Sequence, residues 1–484
     1  MIQPNVNVVI LTDHELTRCL GAYRLASEIR THNFSCQVID QTSRFSADEL
    51  FNIFNNIIGD NTLILGISTS FFNIIRQDLT DGFAISNINW AIISSAIKIA
   101  KKIKPTLKIV IGGGWLSPSP DFDEKIDLTV TGEGEHAIIE YLKYLQQKNP
   151  FIQYSIKNDH MLIDGSTNNR FNFINSETIY HPSDNIMKGE SLPFETARGC
   201  IFKCKFCSYP LLGKNKNDYI RTKESMKNEL LRNYHEYGTT RYSIVDSTFN
   251  DNNIKLQQIA EIAQQLPFKL EYACYIRLDL LHAKPEQYQY LIDSGMIGCF
   301  FGIESLNEKS LKSIGKGLHP DKVVEELYNF KDKMPNVGTT AGFICGLPYE
   351  TEDSINEWST RILSEDFPLD QSLMVSLVID TDPQAAYKSA FDKDSSKYYT
   401  WIDPYTWHNG YFDLNWANNF CNKYQLKNNN RLRVGGWLTL LQVAPWNKSL
   451  TKKPLSAVTP WIHKQHITSF NSYKKLLCEN LDNN

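Results

Sequence analysis

The sequence predicts an α/β protein with two sheets in series. An amino-terminal doubly wound parallel sheet (Rossmann-like) comes first, then a partial (β/α)6 TIM-like barrel, then a small, mainly helical carboxyl-terminal tail. Three observations carry this. Short apolar, β-branched runs alternate with helix-length stretches from residue 6 to about 150. The same alternation returns from 192 to about 380. Between and after these blocks the pattern changes, to polar at 151–190 and to aromatic-rich from 390. Continuous apolar strands separated by helices imply parallel sheets covered on both faces.

In the first block the strands fall at VVILT (8–12), CQVID (36–40), LILGIS (63–68), KIVIGGG (108–114) and LTVTGEGE (128–135). Helices are expected near 18–31, 46–58, 87–103 and 136–147. Ser46 with Glu49 three residues on makes a capping box for the second of these. Fragments such as FIQYSI and MLIDG predict a short hairpin and a linker over 148–190. Barrel strands are expected near 194–198, 241–247, 269–276, 298–303, 339–345 and 373–379. The barrel helices fall near 222–236, 253–265, 285–294, 319–332 and 352–364. The domains are thus 1–150, a linker 151–190, the barrel 191–389 and a tail 390–484. In the tail, Tyr398, Tyr399, Trp401, Tyr405, Trp407, Tyr411, Phe412 and Trp416 crowd one segment, with helices expected at 413–426 and 434–443. A small cap packed on the barrel and a substrate-pocket wall both fit such a cluster.

Composition narrows the class. At 42% hydrophobic and 21% charged, the 484 residues can bury large cores and are not disordered. Lys plus Arg is 50 against 54 for Asp plus Glu, a net charge of −4, so neither nucleic acid nor an anionic membrane is the expected partner. No apolar run reaches the roughly 18 residues that span a bilayer, and the start lacks a signal-peptide pattern. A cytoplasmic location is expected. In that reducing setting, ten cysteines are not a disulfide framework, and a cluster among them points to metal binding or catalysis.

One cluster exists. Cys200, Cys204 and Cys207 form C-x3-C-x2-C just after the first barrel strand, where barrels place their chemistry. Thiolates suit zinc or iron–sulfur clusters. Structural zinc wants four ligands, and the nearest histidines, His181 and His235, lie well outside the loop. Three ligands on a four-iron cluster leave one iron open to chelate a small molecule. Cys274, Cys299 and Cys345 lie singly on strands and read as small core residues.

Over about 190–385 the chain resembles the radical S-adenosylmethionine (radical SAM) enzymes. The resemblance implies a 4Fe-4S cluster on the three cysteines that reductively cleaves S-adenosylmethionine to a 5′-deoxyadenosyl radical. Phe206 stands at the family's aromatic position, near the adenine. Asp246 and Ser247, in VDSTFN, occupy the place of a Gly-Gly-Glu-like run that meets the methionine amino group; here that run is replaced. Glu304, in GIES, looks like the ribose contact; a buried salt-bridge partner is the other reading. Gly342, Ile344 and Gly346, in GFICGLP, resemble the adenine-binding strand. Arg277 faces the cofactor carboxylate or pairs with Asp279, and Lys316, in IGKG, is a subgroup feature or a solvated loop lysine.

Over about 5–145 the chain resembles the cobalamin-binding domain that often precedes such a barrel. Gly21, Ser68, Thr69, Gly112, Gly113, Gly114, Gly132 and Glu133 carry the likeness, at carboxyl ends of strands where open α/β sheets bind ligands. No G-x-G-x-x-G opens the first helix, so this is not a dinucleotide fingerprint. The D-x-H-x-x-G of histidine-ligating domains is missing around Asp13 and His14, so cobalamin without a protein histidine ligand is implied. Phe71 and Phe72 are candidates for an apolar floor under the corrin, or for core packing.

The resemblance implies a cobalamin-dependent methyltransferase acting on an unactivated carbon of an organic substrate of unknown class, served by an electron donor such as flavodoxin or ferredoxin. The alternative is a radical cyclisation, rearrangement or oxidation without methyl transfer. Methylthiolation of tRNA fits less well, because only Cys19 and Cys36 precede the cluster. A zinc-stabilised binding protein is the reading from another class. Catalytic acid or base residues are not readable from the sequence.

Overall fold

The structure, a computed structural model, describes residues 3–13, 18–69, 90–113, 124–149, 153–157, 160–165, 171–208, 218–380, 388–403, 406–429, 470–475 and 477. Two parallel sheets follow one another along the chain, as expected.

The first sheet holds β1 (Val8–Leu11), β2 (Cys36–Ile39), β3 (Ile64–Ser68), β4 (Lys108–Gly112), β5 (Leu128–Thr131), β6 (Ser155–Lys157) and β7 (His160–Asp164). Their spatial order is β2-β1-β3-β4-β5-β7-β6, antiparallel only between β6 and β7. Four helices cover it: α1 (Leu20–Thr31), α2 (Ala47–Ile57), α3 (Trp90–Ile103) and α4 (Gly134–Leu145). The pleat sorts the side chains of β1. Val8 and Ile10 join the core of Tyr23, Ile29 and Ile138 from α1 and α4. Val9 and Leu11 join Ile53 and Phe54 of α2 and Ile93 and Ile97 of α3. Ser46 and Glu49 make the capping box of α2, with Glu49 N donating to Ser46 Oγ over 3.3 Å.

The expected hairpin forms, but it is not linker. β7 pairs in parallel with the free edge of β5, Leu128 opposite Met161, so the first domain runs on to Asp164. A strand edge left unpaired is costly, and the hairpin covers it.

The second sheet is the six-stranded barrel wall. It contains β8 (Leu192–Phe194), β9 (Arg241–Ile244), β10 (Glu271–Ile276), β11 (Met296–Glu304), β12 (Gly338–Cys345) and β13 (Gln371–Ser376), all parallel and side by side in sequence order. The crossover helices are α5 (Lys223–Tyr237), α6 (Asn253–Ala263), α7 (Leu278–Ala283), α8 (Gln287–Ser294), α9 (Glu308–Ile314), α10 (Pro320–Lys333) and α11 (Glu352–Ile362). The short α7 and α9 were not expected; six or seven residues are too few to display a helical period.

The tail contains α12 (Ala390–Lys393), an antiparallel ribbon of β14 (Thr400–Asp403) and β15 (Thr406–His408), and α13 (Leu414–Asn429). The expected helix at 413–426 is α13; the one at 434–443 lies outside the described residues. Two strands precede α13 where a mainly helical tail was expected. Phe470, Tyr473 and Leu477 return to the first domain and pack in the core of α2 and α3. Among the described residues no helix is long and apolar enough to cross a membrane.

Candidate active site

The cysteine loop leaves β8 and is fastened at several points. Cys207 N donates to Cys204 O over 3.0 Å, closing a turn. Lys205 N donates to Ile314 O at the end of α9, and Lys205 O accepts from Phe391 N of α12, both at 3.1 Å. Cys200 Sγ lies 3.4 Å from Thr248 Oγ1, and Arg277 Nη1 donates to Cys204 Sγ over 3.3 Å. Phe206 packs partly buried against the core. All three thiols lie on one loop, but among the described residues their sulfurs do not converge into a preformed group of three metal ligands.

Asp246 stands two residues beyond the end of β9 and is fully enclosed. Its Oδ1 accepts from Thr196 N at 2.8 Å and Ala197 N at 3.1 Å. Its Oδ2 accepts from Thr196 Oγ1 and, at 3.1 Å, from Lys255 Nζ. Lys255 also meets Asp251 at 2.7 Å and donates to Thr248 O at 3.0 Å. Asp246, expected with Ser247 at the methionine amino group, has its carboxylate bonded to Thr196 and Ala197 after β8 and to Lys255 of α6. Ser247, the next residue, is exposed at the strand end.

Burial alternates along β11. Cys299, Phe301 and Ile303 are buried, and the Phe301 ring meets Phe330 of α10 at 5.0 Å, so this face lies against the helices. Phe300, Gly302 and Glu304 are half-buried on the opposite face, toward the lumen. Cys274, Cys299 and Cys345 are completely buried, as small core residues should be. Glu304 adopts φ 75° at a break in the β11–β12 register. A non-glycine residue in the left-handed region marks a place where surrounding structure imposes strain, and such places concentrate at functional sites. Lys316 is buried, not solvated: its Nζ donates to Gly302 O over 2.6 Å and lies 3.4 Å from Glu304 Oε1. Burial pushes the Glu304 carboxyl above its ordinary range, and Lys316 pulls against this.

On β12, Gly342 lies opposite Gly302, and a Cβ there would come within 2.7 Å of the Phe300 ring. Ile344 lies two residues on, at the same lumen face. Gly346 follows with φ 106°, and a Cβ would stand 2.2 Å from the buried Trp407 ring. Glu350 closes the turn, accepting from Gly346 N at 3.0 Å, Leu347 N at 3.1 Å and Ser305 Oγ at 2.7 Å. With no cation beside it in that set, burial pushes its carboxyl up to about 8. The tail seals this turn: Tyr399 OH donates to Gly346 O at 3.0 Å, and Asn409 Nδ2 to Glu350 O at 3.2 Å.

At the amino-terminal sheet the order reverses between β1 and β3, which opens a crevice beyond their carboxyl ends. Cys19 Sγ and Ser68 Oγ face each other there at 4.0 Å, and Thr69 Oγ1 donates to Gly112 O at 3.1 Å. Gly21 is exposed in the first turn of α1 with nothing within 4 Å of a would-be Cβ. Gly113 and Gly132 both have positive φ, 155° and 75°. His14, Phe71, Phe72 and Gly114 lie outside the described residues. Glu133 is buried at the domain junction, 3.7 Å from Arg198.

Sequence reading missed three residues that hold these parts together: Arg198, Lys255 and Glu350. A lone charge carries no pattern, and only the tertiary fold brings its partners near.

Comparison with known proteins defines the class. Residues 194–361 match the family model of the radical SAM superfamily, so the barrel segment carries a radical SAM domain. Curated relatives include an uncharacterized methyltransferase of Pyrococcus horikoshii, 27% identical over 277 residues, 53% of this chain and 58% of that protein. Another is the anaerobic magnesium-protoporphyrin IX monomethyl ester cyclase of Cereibacter sphaeroides, 23% identical, with 54% of this chain and 45% of that protein covered. The chain thus spans little more than half the length of the first of these and less than half of the second. In fold, the chain is similar to the radical SAM methyltransferase TsrM of Kitasatospora setae, at TM-score 0.58 and 12% identity over 77% of this chain and 74% of that one. It is similar as well to the cobalamin-dependent radical SAM enzyme OxsB, at TM-score 0.57 and 19% identity over 79% of this chain and 54% of that one. Both likenesses extend beyond the barrel, so the paired-domain fold is shared.

Proposed function

We propose that this chain is a cobalamin-dependent radical SAM methyltransferase acting on an unactivated carbon of an organic substrate. The observation that carries the reading is the junction of the two domains. The first sheet opens its ligand crevice at β1 and β3, and Arg198, two residues before Cys200, ties that domain to the cysteine loop. The names of the methyltransferase relative and of the similar solved structures support it.

The residues present fit the groups implied. Three cysteines on one loop, one already accepting an N–H from a cation, suit by their chemistry a 4Fe-4S cluster with one iron left for S-adenosylmethionine. When bound, this pair supplies an electron and a 5′-deoxyadenosyl radical, and a corrinoid supplies the methyl group. The chain's own residues bind, orient and shield. Glu304, fixed by its left-handed backbone and Lys316, accepts from the ribose hydroxyls. Gly342 lets the Phe300 ring and Gly302 the Glu304 carboxylate lie close against the strands, and Ile344 gives an apolar surface to the adenine. Ser247 and the Gly346 turn meet the remaining polar edges. Tyr399 and Trp407, both buried, close the lumen beside Gly346 and exclude water from a reactive radical. Ser68, Thr69, Gly112 and Gly21 offer a small-residue cradle to the corrin face.

The test needs no organic substrate. The reconstituted full chain is incubated with hydroxocobalamin, S-adenosylmethionine and a strong reductant, and S-adenosylhomocysteine is measured. About one equivalent, formed only when cobalamin is retained through gel filtration, supports methyl transfer. A chain that retains no cobalamin, while still making 5′-deoxyadenosine, contradicts it and favours radical chemistry without methylation.

A further inference from the structure

The Arg277 side chain is held too firmly, and aimed too specifically, to be a free arm for a substrate. Its main chain is gripped by one side chain: Arg277 N donates to Asn250 Oδ1 at 2.8 Å, and Arg277 O accepts from Asn250 Nδ2 at 2.9 Å. Its guanidinium is forked onto Asp279, Nε to Oδ1 at 3.0 Å and Nη2 to Oδ2 at 2.5 Å. Its plane lies over the Phe202 ring, 4.0 Å from the ring centre, and Phe202 stands between Cys200 and Cys204. The remaining arm, Nη1, donates to Cys204 Sγ. The side chain is only 8% exposed.

We propose that Arg277 is a positioning residue for the cysteine loop that also sets the reduction potential of the cluster, through its hydrogen bond to the Cys204 sulfur. Two effects follow from one contact. The stacked Phe202 and the hydrogen-bonded Cys204 fix the loop between the first two ligands. A fixed cation and an N–H on a ligand sulfur stabilise the added negative charge of the reduced cluster, so the potential rises; hydrogen bonds to the sulfurs and net charge are the levers that tune such clusters. Asp279 offsets part of the charge but keeps the fork from turning away. Electron entry is then eased before any substrate binds.

This inference rests on the cluster reading proposed above, and the test separates the two. The full chain, reconstituted anaerobically with iron and sulfide and without S-adenosylmethionine, is titrated by electron paramagnetic resonance. Arg277→Gln should keep its iron and sulfide and be harder to reduce by about tenfold in the equilibrium constant, which is ~59 mV for one electron. Arg277→Lys keeps the charge but cannot span Asp279 and Cys204 together, so it should fall between the two. Arg277→Gln with full cluster content and a wild-type potential overturns the assignment. Should that variant fail to assemble its cluster, Arg277→Lys decides: at least a threefold loss in the reduction equilibrium is expected, and a wild-type value overturns the proposal. Wild-type protein that takes up no iron and sulfide overturns the cluster reading instead.

Discussion

Arg198 of the barrel lies 2.9 Å from Glu135 of the amino-terminal domain. The same guanidinium meets Glu195 at 2.9 Å, approaches Glu133 at 3.7 Å and stacks over Phe173 at 4.6 Å. One side chain thus joins the end of β8, the start of α4 and the linker. Two cofactor-binding domains must hold their reacting centres in register, because small misplacements are costly to rate.

Arg198→Ala should therefore loosen the junction. Removing one partner of a buried ion pair costs about 3–5 kcal/mol, and here three carboxylates are left together. Urea unfolding should show a loss of that order. Hydrogen exchange should quicken at 132–136 and 195–200. The deficit should shrink on acidification. Burial disfavours the Glu195 charge, but Arg198 and its neighbours still hold that carboxyl below its ordinary value. Its contribution is present above about pH 4.3 and fades as pH falls through the lower folded value. A variant as stable as the wild type, with unchanged exchange, would remove Arg198 from this role.

Lys255 should matter to the cysteine loop without touching it. Its ammonium is completely buried between Asp246 and Asp251. Burial opposes its charge, yet the two carboxylates raise its pKa, so its contribution is complete below about pH 10 and is lost only at more alkaline pH. Lys255→Met leaves two uncompensated acids and should cost about 3–5 kcal/mol in chemical denaturation. Iron should also leave the variant faster under chelator, because Asp246 grips Thr196 and Ala197 just before the loop. Equal rates of iron loss would break that link.

Gly346→Ala should be strongly unfavourable. The position combines φ 106° with a would-be Cβ 2.2 Å from the Trp407 ring. Left-handed strain and overpacking each cost about 1–3 kcal/mol. Tryptophan fluorescence should shift as Trp407 is displaced. An unmoved spectrum with unchanged stability would contradict the contact.

Glu350 should give stability a pH slope opposite to the usual carboxylate. Its folded pKa, pushed up to about 8 by burial, lies above the unfolded value. Its contribution is complete below about pH 4.3 and declines as pH rises toward 8. Glu350→Gln should flatten that segment of the stability profile. A profile identical to the wild type would show that the carboxyl does not titrate there.

Much of this was legible in the sequence. The six barrel strands declare themselves by apolar runs, and Cys200, Cys204 and Cys207 by spacing. The Ser46–Glu49 box is local and needs no tertiary information. The neighbours of Asp246 in sequence suggest a strand-end contact, but its bonds to Lys255 and Thr196, nine and fifty residues away, are not legible there. The β6–β7 hairpin was visible, but its parallel docking on β5 was not, since pairing partners leave no trace in either strand. Lys316 reads from the sequence as a subgroup feature or as a solvated loop lysine between glycines; in the fold it is buried, 3.4 Å from Glu304.

The central claim is that one loop carries an iron–sulfur cluster. Anaerobic reconstitution of the full chain, followed by iron, acid-labile sulfide and zinc analysis, addresses it most directly. The account predicts about four iron and four sulfide per chain, as a 4Fe-4S cluster requires. That content should collapse in Cys200→Ala, Cys204→Ala and Cys207→Ala and survive in Cys274→Ala, Cys299→Ala and Cys345→Ala. Zinc without sulfide in the wild type, or a full cluster in all three loop variants, would contradict it.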